Sequence, residues 1–204
     1  MQSSLENTSH ENVTLFLASS SPRRKELLEQ LGLEFKRINA PIEEVALPNE
    51  TPDSFVLRMA IEKALSGFNK VAGKRIWVIG SDTAVVLNAR VFGKPKNTVD
   101  SLSMLGKLSG QTHEVLSAIA VVYDGEVFST LNKTKVQFKS LSETEMLAYI
   151  ESGEPLDKAG SYAIQGLGAK FIQSIEGSYS AVMGLPLFEL NQLLVESGYQ
   201  GLVR

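Results

Sequence analysis

The chain has 204 residues, 43% hydrophobic and 21% charged, which is enough apolar material for a buried core and argues against a disordered chain. Its formal net charge of -3 excludes a protein that coats nucleic acid or an anionic membrane through bulk charge. The complete lack of cysteine rules out disulfides, thiolate zinc sites and cysteine nucleophiles, and it suits a reducing, cytoplasmic compartment.

Residues 1–12 (MQSSLENTSHEN) read as a flexible polar leader, without the basic start and apolar middle of a signal peptide. Residues 13–204 are expected to form a single domain. Residues 13–18 (VTLFLA) form a buried strand, and Ser21-Pro22 opens a helix with Leu27, Leu28 and Leu31 on one stripe and Gly32 as its stop. A strand over 34–38 leads to a loop over 39–50 that carries Glu43, Glu44 and Glu50. Thr51-Pro52 starts a helix to about Phe68, with Phe55, Met59 and Ala60 inward. Residues 76–80 (IWVIG) are apolar throughout, as in a covered central strand, and shorter strands over 84–88 and 90–93 turn at Asn88-Ala89.

A helix from Asn97 to Leu108 should point Val99, Leu102 and Leu105 inward. Asp124-Gly125 then joins a long hairpin, 112–123 and 126–138. Ser142 and Glu145 make a capping box, with Leu141 and Met146 as its staple, for a helix to about Glu151. A glycine-rich stretch follows, and a helix from about Pro186 to Glu196 closes the chain. Helices alternating with strands, some in hairpins, predict a mixed sheet in an α/β or α+β layered fold. The longest apolar run, Ala118 to Tyr123, falls far short of the ~20 residues that cross a bilayer.

Chemistry concentrates at a few places. Ser19-Ser20-Ser21-Pro22-Arg23-Arg24-Lys25 sets three cations at a helix N-terminus, where the macrodipole makes each unfavourable by ~0.3–1 kcal/mol. A phosphate chain docked on the serine hydroxyls and free N–H groups reverses that sign. The alternative is that the arginines turn to solvent and pair with Glu26 or Glu29. Asp82, in Gly80-Ser81-Asp82-Thr83, follows an apolar strand and is expected at its carboxyl end, where open sheets place ligands. Lys94 should return beside it, either as a plain ion pair or as a phosphate-binding partner to a base or metal ligand.

Glu43 and Glu44 belong to a loop that returns to the same sheet edge, and Lys63 lies on the inner flank of its helix, reaching either water or phosphate. Gln165, before Gly166, offers a donor and an acceptor to the edge of a base, or a loop hydrogen bond. Gly153 to Gly160 reads as a turn-rich connector. Gly67 to Lys74 fails as a P-loop by one residue, and Gly166-Leu167-Gly168 lacks the third glycine of a dinucleotide fingerprint. His10 and His113 are the two histidines, so a serine hydrolase would rest on His113, and any metal would be held by oxygens, which favours Mg²⁺ or Mn²⁺.

Taken together, the blocks LASSSPRRKELLEQLG, GSDTAVVLNARVFGKP, MLGKLSGQTHEVLSAIAV, SGEPLDKAGSYAIQGLGAKFI and IEGSYSAVMGLPL resemble the Maf family of nucleotide pyrophosphatases, also described as septum-formation inhibitors. The resemblance implies an elongated mixed sheet flanked by helices, two lobes and a central cleft, as in the inosine triphosphatases. It implies metal-dependent hydrolysis between the α- and β-phosphates of a nucleoside triphosphate. Asp82 falls on the catalytic base, Ser19, Arg23, Arg24, Lys63 and Lys94 on the phosphate-handling region, and Glu44 with Asp82 near the metal. Arg23, Thr83 and Gln165 match the branch acting on dTTP and UTP, whereas the 7-methyl-GTP branch tends to carry Trp, Gln and an acidic residue there. Members are often homodimers, although no apolar pattern here marks an interface. The rival readings are a nucleotide-binding regulator of cell division that turns nothing over, and a pyrophosphatase preferring 7-methyl-GTP.

Overall fold

The computed structural model describes residues 14–201, so the expected leader over 1–12 lies outside the described residues. The elements in chain order are β1 (Thr14–Leu17), α1 (Pro22–Gln30), β2 (Phe35–Arg37), α2 (Pro52–Phe68), β3 (Ile76–Leu87), β4 (Arg90–Phe92), α3 (Thr98–Leu108), β5 (Thr112–Tyr123), β6 (Glu126–Phe138), α4 (Glu143–Glu151), β7 (Ile172–Glu176), α5 (Tyr179–Met183) and α6 (Leu187–Glu196). Three short 3₁₀ turns, Glu154–Asp157, Ala159–Ser161 and Leu167–Phe171, fill the stretch before β7.

The strands form one seven-stranded mixed sheet in the order β2-β1-β3-β5-β6-β7, with β4 also paired to β3. β2, β1 and β3 run parallel, and every other pairing is antiparallel. The β5–β6 hairpin turns at Asp124 and Gly125 with φ of 50° and 81°, the doubly positive turn whose twist matches the flanking strands. The expected mixed α/β sheet is therefore present.

Strand alternation sorts the core. Odd-numbered side chains of β1, β3 and β5, among them Leu15, Leu17, Trp77, Ile79, Ile119 and Val121, pack against α1 and α6. Further along, Val85 and Val115 join α3 and α4 in a second cluster with Phe138, Tyr149 and Phe171. Even-numbered residues Ala84, Val86, Leu116, Ala118 and Ala120 meet Val56, Ala60 and Ala64 of α2. Among the described residues, no helix is long and apolar enough to cross a membrane.

Several expectations are corrected. The segments 76–80 and 84–88 are one strand, β3, because Gly80 to Ala84 pair residue by residue with β5. Val99 is 75% exposed rather than inward, and Phe55 is only half-buried; Met59, Ala60 and Leu105 are buried as expected. The glycine-rich stretch also holds two elements beyond the sequence expectation: β7, an edge strand with mostly exposed side chains, and the short α5, capped by Ser178. The Ser142–Glu145 capping box is formed as read.

Candidate active site

A gap in the sheet creates the site. β1 pairs with β3 only over Ile76 to Ile79, and β4 only over Val85 to Leu87. β5 covers the opposite edge of β3 from Trp77 to Val86. Residues 80–84 thus have a strand neighbour on one edge alone. A cavity of about 830 Å³ opens there, lined by the residues just after β1 (Ala18, Ser19), the entrance and first turn of α1 (Ser20 to Arg24), Asp82 to Val85 and the β4 exit (Phe92 to Lys94). Volumes of this order are typical of small-ligand clefts. Because the gap interrupts the sheet itself, side chains from both faces of β3, Asp82 and Thr83, reach it. Asp82 therefore lies mid-strand, opposite Ala118, and not at the carboxyl end of a strand as expected.

Gly80 brings α2 to this point. A Cβ on Gly80 would lie 2.3 Å from Ala60 O and 2.4 Å from Ala64 N, so only glycine allows the helix backbone this close. Asp82, two residues on, faces the same helix, and Lys63 of α2 meets it: Lys63 Nζ donates to Asp82 Oδ1 at 2.6 Å. The same ammonium is 2.7 Å from Glu44 Oε1. The expected lysine beside Asp82 is thus Lys63; Lys94 lines the same cavity but is not its ion-pair partner.

Glu44 comes from the loop before α2, which is tied down from within. Both Glu50 carboxylate oxygens accept from Arg58 of α2 at 2.6 Å, and Arg58 also donates to Val45 O at 3.0 Å. Burial works to raise the Glu44 pKa, but the hydrogen bond and charge of Lys63, with the charges of Lys94 and Arg24, outweigh it and hold the carboxyl below its ordinary value. Glu43 is exposed and does not line the cavity.

The cationic wall is α1. Ser21 caps the helix, and Ser21 N–H donates to Ser19 Oγ at 3.2 Å, so both hydroxyls sit at the helix entrance. Arg24 is anchored by Nε to Gly184 O at 2.8 Å and by Nη2 to Thr83 Oγ1 at 3.3 Å. Burial lowers its pKa, opposed by the nearby Asp82 charge; a guanidinium nonetheless stays protonated. Arg23 does not turn to Glu26 or Glu29; it lies 3.6 Å from Asp157 across the cavity, and Lys25 is the one that pairs with Glu29.

Ser19, Arg23, Arg24, Glu44, Lys63, Asp82, Thr83, Lys94 and Gln165 all line this one cavity. Asp157 and Lys158 line it too, although their sequence context reads only as a turn-rich connector. His113 stays in the core, its Nε2 2.9 Å from Tyr162 Oη, and is not on the cavity wall. It forms no serine-hydrolase array.

The acidic donors suit a hard divalent ion. Asp82 and Glu44 already converge on one cation, the Lys63 ammonium. Among the described residues no group of three or more His, Cys, Asp or Glu is placed to hold a metal ion by itself. Two carboxylates without a closed protein cage are the donor set of Mg²⁺ or Mn²⁺, whose shells are completed by phosphate oxygens and water.

A one-sided sheet gap ringed by cations, with two carboxylates at its centre, defines an α/β protein with a cleft for a polyanionic ligand. The model of the Maf-like protein family matches residues 14–197, and the chain belongs to that family. It is 59% identical over 185 residues to a dTTP/UTP pyrophosphatase of Hydrogenovibrio crunogenus, covering 91% of this chain and 96% of that protein. It is 49% identical to a dTTP/UTP pyrophosphatase of Escherichia coli O157:H7, covering 89% and 91% of the two chains. The solved structure of the Staphylococcus aureus Ham1 protein aligns with a TM-score of 0.45 at 13% identity, over 91% of this chain and 99% of that one.

Proposed function

We propose that this protein is a nucleoside triphosphate pyrophosphatase that hydrolyses dTTP and UTP, with modified pyrimidine triphosphates, to the monophosphate and pyrophosphate in the cytoplasm. The observation that carries the reading is the Lys63 ammonium between Asp82 and Glu44, inside a cleft walled by Arg23, Arg24 and Lys94. The names of the relatives supply the substrate class.

In this reading water attacks the α-phosphorus, the bond from that phosphorus to the oxygen bridging the β-phosphate breaks, and pyrophosphate leaves with the electron pair. Asp82 accepts the proton of the attacking water. Arg24, already fixed to Gly184 and Thr83, together with Lys63 and Lys94, holds phosphate oxygens and offsets the charge growing on the leaving group. Asp82 and Glu44 would hold the Mg²⁺ or Mn²⁺, which supplies further neutralisation of phosphate charge. Gln165 and Arg23 contact the base, whose N–H and carbonyl edge complements an amide.

The test is pyrophosphate release from UTP, dTTP, ITP and 7-methyl-GTP with Mg²⁺ or Mn²⁺. UTP and dTTP should turn over fastest, and EDTA should stop the reaction. Release from none of the four moves the protein to a binding regulator. Faster turnover of 7-methyl-GTP overturns the base assignment at Arg23, Thr83 and Gln165.

A further inference from the structure

The 3₁₀ turn Glu154–Asp157 pairs with Arg23 and holds the backbone that follows Gln165, the two residues assigned above to the base. At its first residue, Glu154 Oε2 accepts from Leu167 N–H at 2.9 Å, and Oε1 accepts from Gly168 N–H at 3.1 Å and from Tyr149 Oη at 2.7 Å. Tyr149 Oη in turn accepts from Ala163 N–H at 3.1 Å. The segment 164–166, which carries Gln165, is therefore gripped on both sides by one carboxylate–phenol pair from α4 and the turn. The grip is tight: a Cβ on Gly166 would lie 2.1 Å from Glu154 Oε2, so this backbone rests directly on the carboxylate.

At its last residue, Asp157 faces the cavity and pairs with Arg23 on α1 at 3.6 Å, and Lys158 bonds both Asp157 and the Glu154 carbonyl. Gly153, at φ 75°, and the buried Pro155 pin the turn itself. One four-residue turn thus reaches Gln165 through Glu154 and Arg23 through Asp157.

We propose that Glu154 and Asp157 are positioning residues for base recognition: they set the separation of Gln165 and Arg23, so that the cleft discriminates between bases without either carboxylate taking part in phosphate chemistry. Loop carbonyls and amides are cheap to rearrange; an ionised acceptor of three hydrogen bonds is not. Burial works to raise the Glu154 pKa, and the bonds from Tyr149, Leu167 and Gly168 override it, so the carboxylate is held in its charged, accepting form.

This rests on the pyrophosphatase reading, and the experiment separates the two. Wild-type protein and the variants Glu154→Gln and Asp157→Asn are assayed with UTP and GTP. Glu154→Gln keeps the shape, but in either orientation its amide N–H₂ faces a backbone N–H, of Leu167 or Gly168, that can only donate. Both variants should raise KM for UTP about tenfold or more, with kcat within about twofold, and should narrow the UTP-to-GTP ratio of kcat/KM. Asp157→Glu, which restores the charge, should recover most of the ratio. An unchanged ratio, or a loss confined to kcat, overturns the positioning role while leaving the pyrophosphatase reading intact. If Glu154→Gln does not fold, Asp157→Asn decides alone, since that side chain is 65% exposed and carries no core packing. Wild-type protein that releases no pyrophosphate from UTP overturns both.

Discussion

Lys63 Nζ lies 2.6 Å from Asp82 Oδ1, a contact between the middle of a helix and the middle of a strand that exists because Gly80 lets the two backbones touch. The pair is largely shielded, with each side chain 13% exposed, and Glu44 completes it from a loop. Charge at this point is finely balanced, so small changes to either carboxylate should be read out in chemistry before stability.

Asp82→Asn is the sharpest such change. The amide oxygen can still accept from Lys63, so folding and nucleotide binding should persist. The amide cannot take a proton from water, and pyrophosphate release from UTP should fall at least about 100-fold. Steady-state turnover and nucleotide-induced shifts in Tm, measured on the same preparation, separate the two effects. Undiminished turnover would remove Asp82 from the chemistry.

Gly80→Ala should act through geometry. The new methyl meets Ala60 O and Ala64 N of α2, which are backbone atoms with no rotamer to yield, so α2 must move off β3. Overpacking of this kind costs about 1–3 kcal/mol. A lower Tm should accompany a disproportionate loss of turnover, because the shift carries Lys63 away from Asp82. A variant with wild-type Tm would show that the helix–strand contact is looser than its distances indicate.

Arg24→Lys keeps the charge and loses the fork. The guanidinium donates to Gly184 O and Thr83 Oγ1 at once, while an ammonium on a flexible stem cannot reproduce that planar pair. Turnover should drop about tenfold or more, with little change in Tm, because the arginine fixes a direction at the cavity. Equal activity in the lysine variant would mean that only net charge matters at this wall.

Local signals in the chain were sufficient for much of this fold. Ser21-Pro22, Thr51-Pro52 and Ser142 with Glu145 announce three helix starts because each start is decided by its own cap. Asp124-Gly125 fixes the hairpin in the same way. The continuity of β3 was hidden because Gly80-Ser81-Asp82-Thr83 has the composition of a turn. These residues are extended because β5 pairs with each of them, a long-range cause with no local trace. Val99 matches the apolar period of α3 but faces solvent, as position in the sequence does not say which side of a helix finds a partner. β7 lacks apolar alternation since it is an edge strand with mostly exposed side chains. At the site, motif positions pointed to nearly all the charged residues, whereas pairings such as Lys63–Asp82 and Arg23–Asp157 needed the tertiary fold.

His113 should give the protein a measurable acid sensitivity. It is buried among Phe138 and Tyr162, with Nδ1 lacking a hydrogen-bond partner, and burial lowers its pKa from 6.5 to about 4. Below pH 6.5 the unfolded chain therefore takes up a proton that the folded chain refuses. Stability is fully present above that pH and falls by about 1.4 kcal/mol per unit towards pH 4, about 3 kcal/mol in all. Carboxylates with lowered values, such as Glu44 and Glu154, lose their contribution only as the pH drops below their ordinary 4.5, so the interval from 6.5 to 5 isolates the histidine. Tm measured across that interval should decline in the wild type and stay nearly flat in His113→Gln, whose amide still reaches Tyr162 and does not titrate. Parallel slopes in the two proteins would place the acid-sensitive group elsewhere.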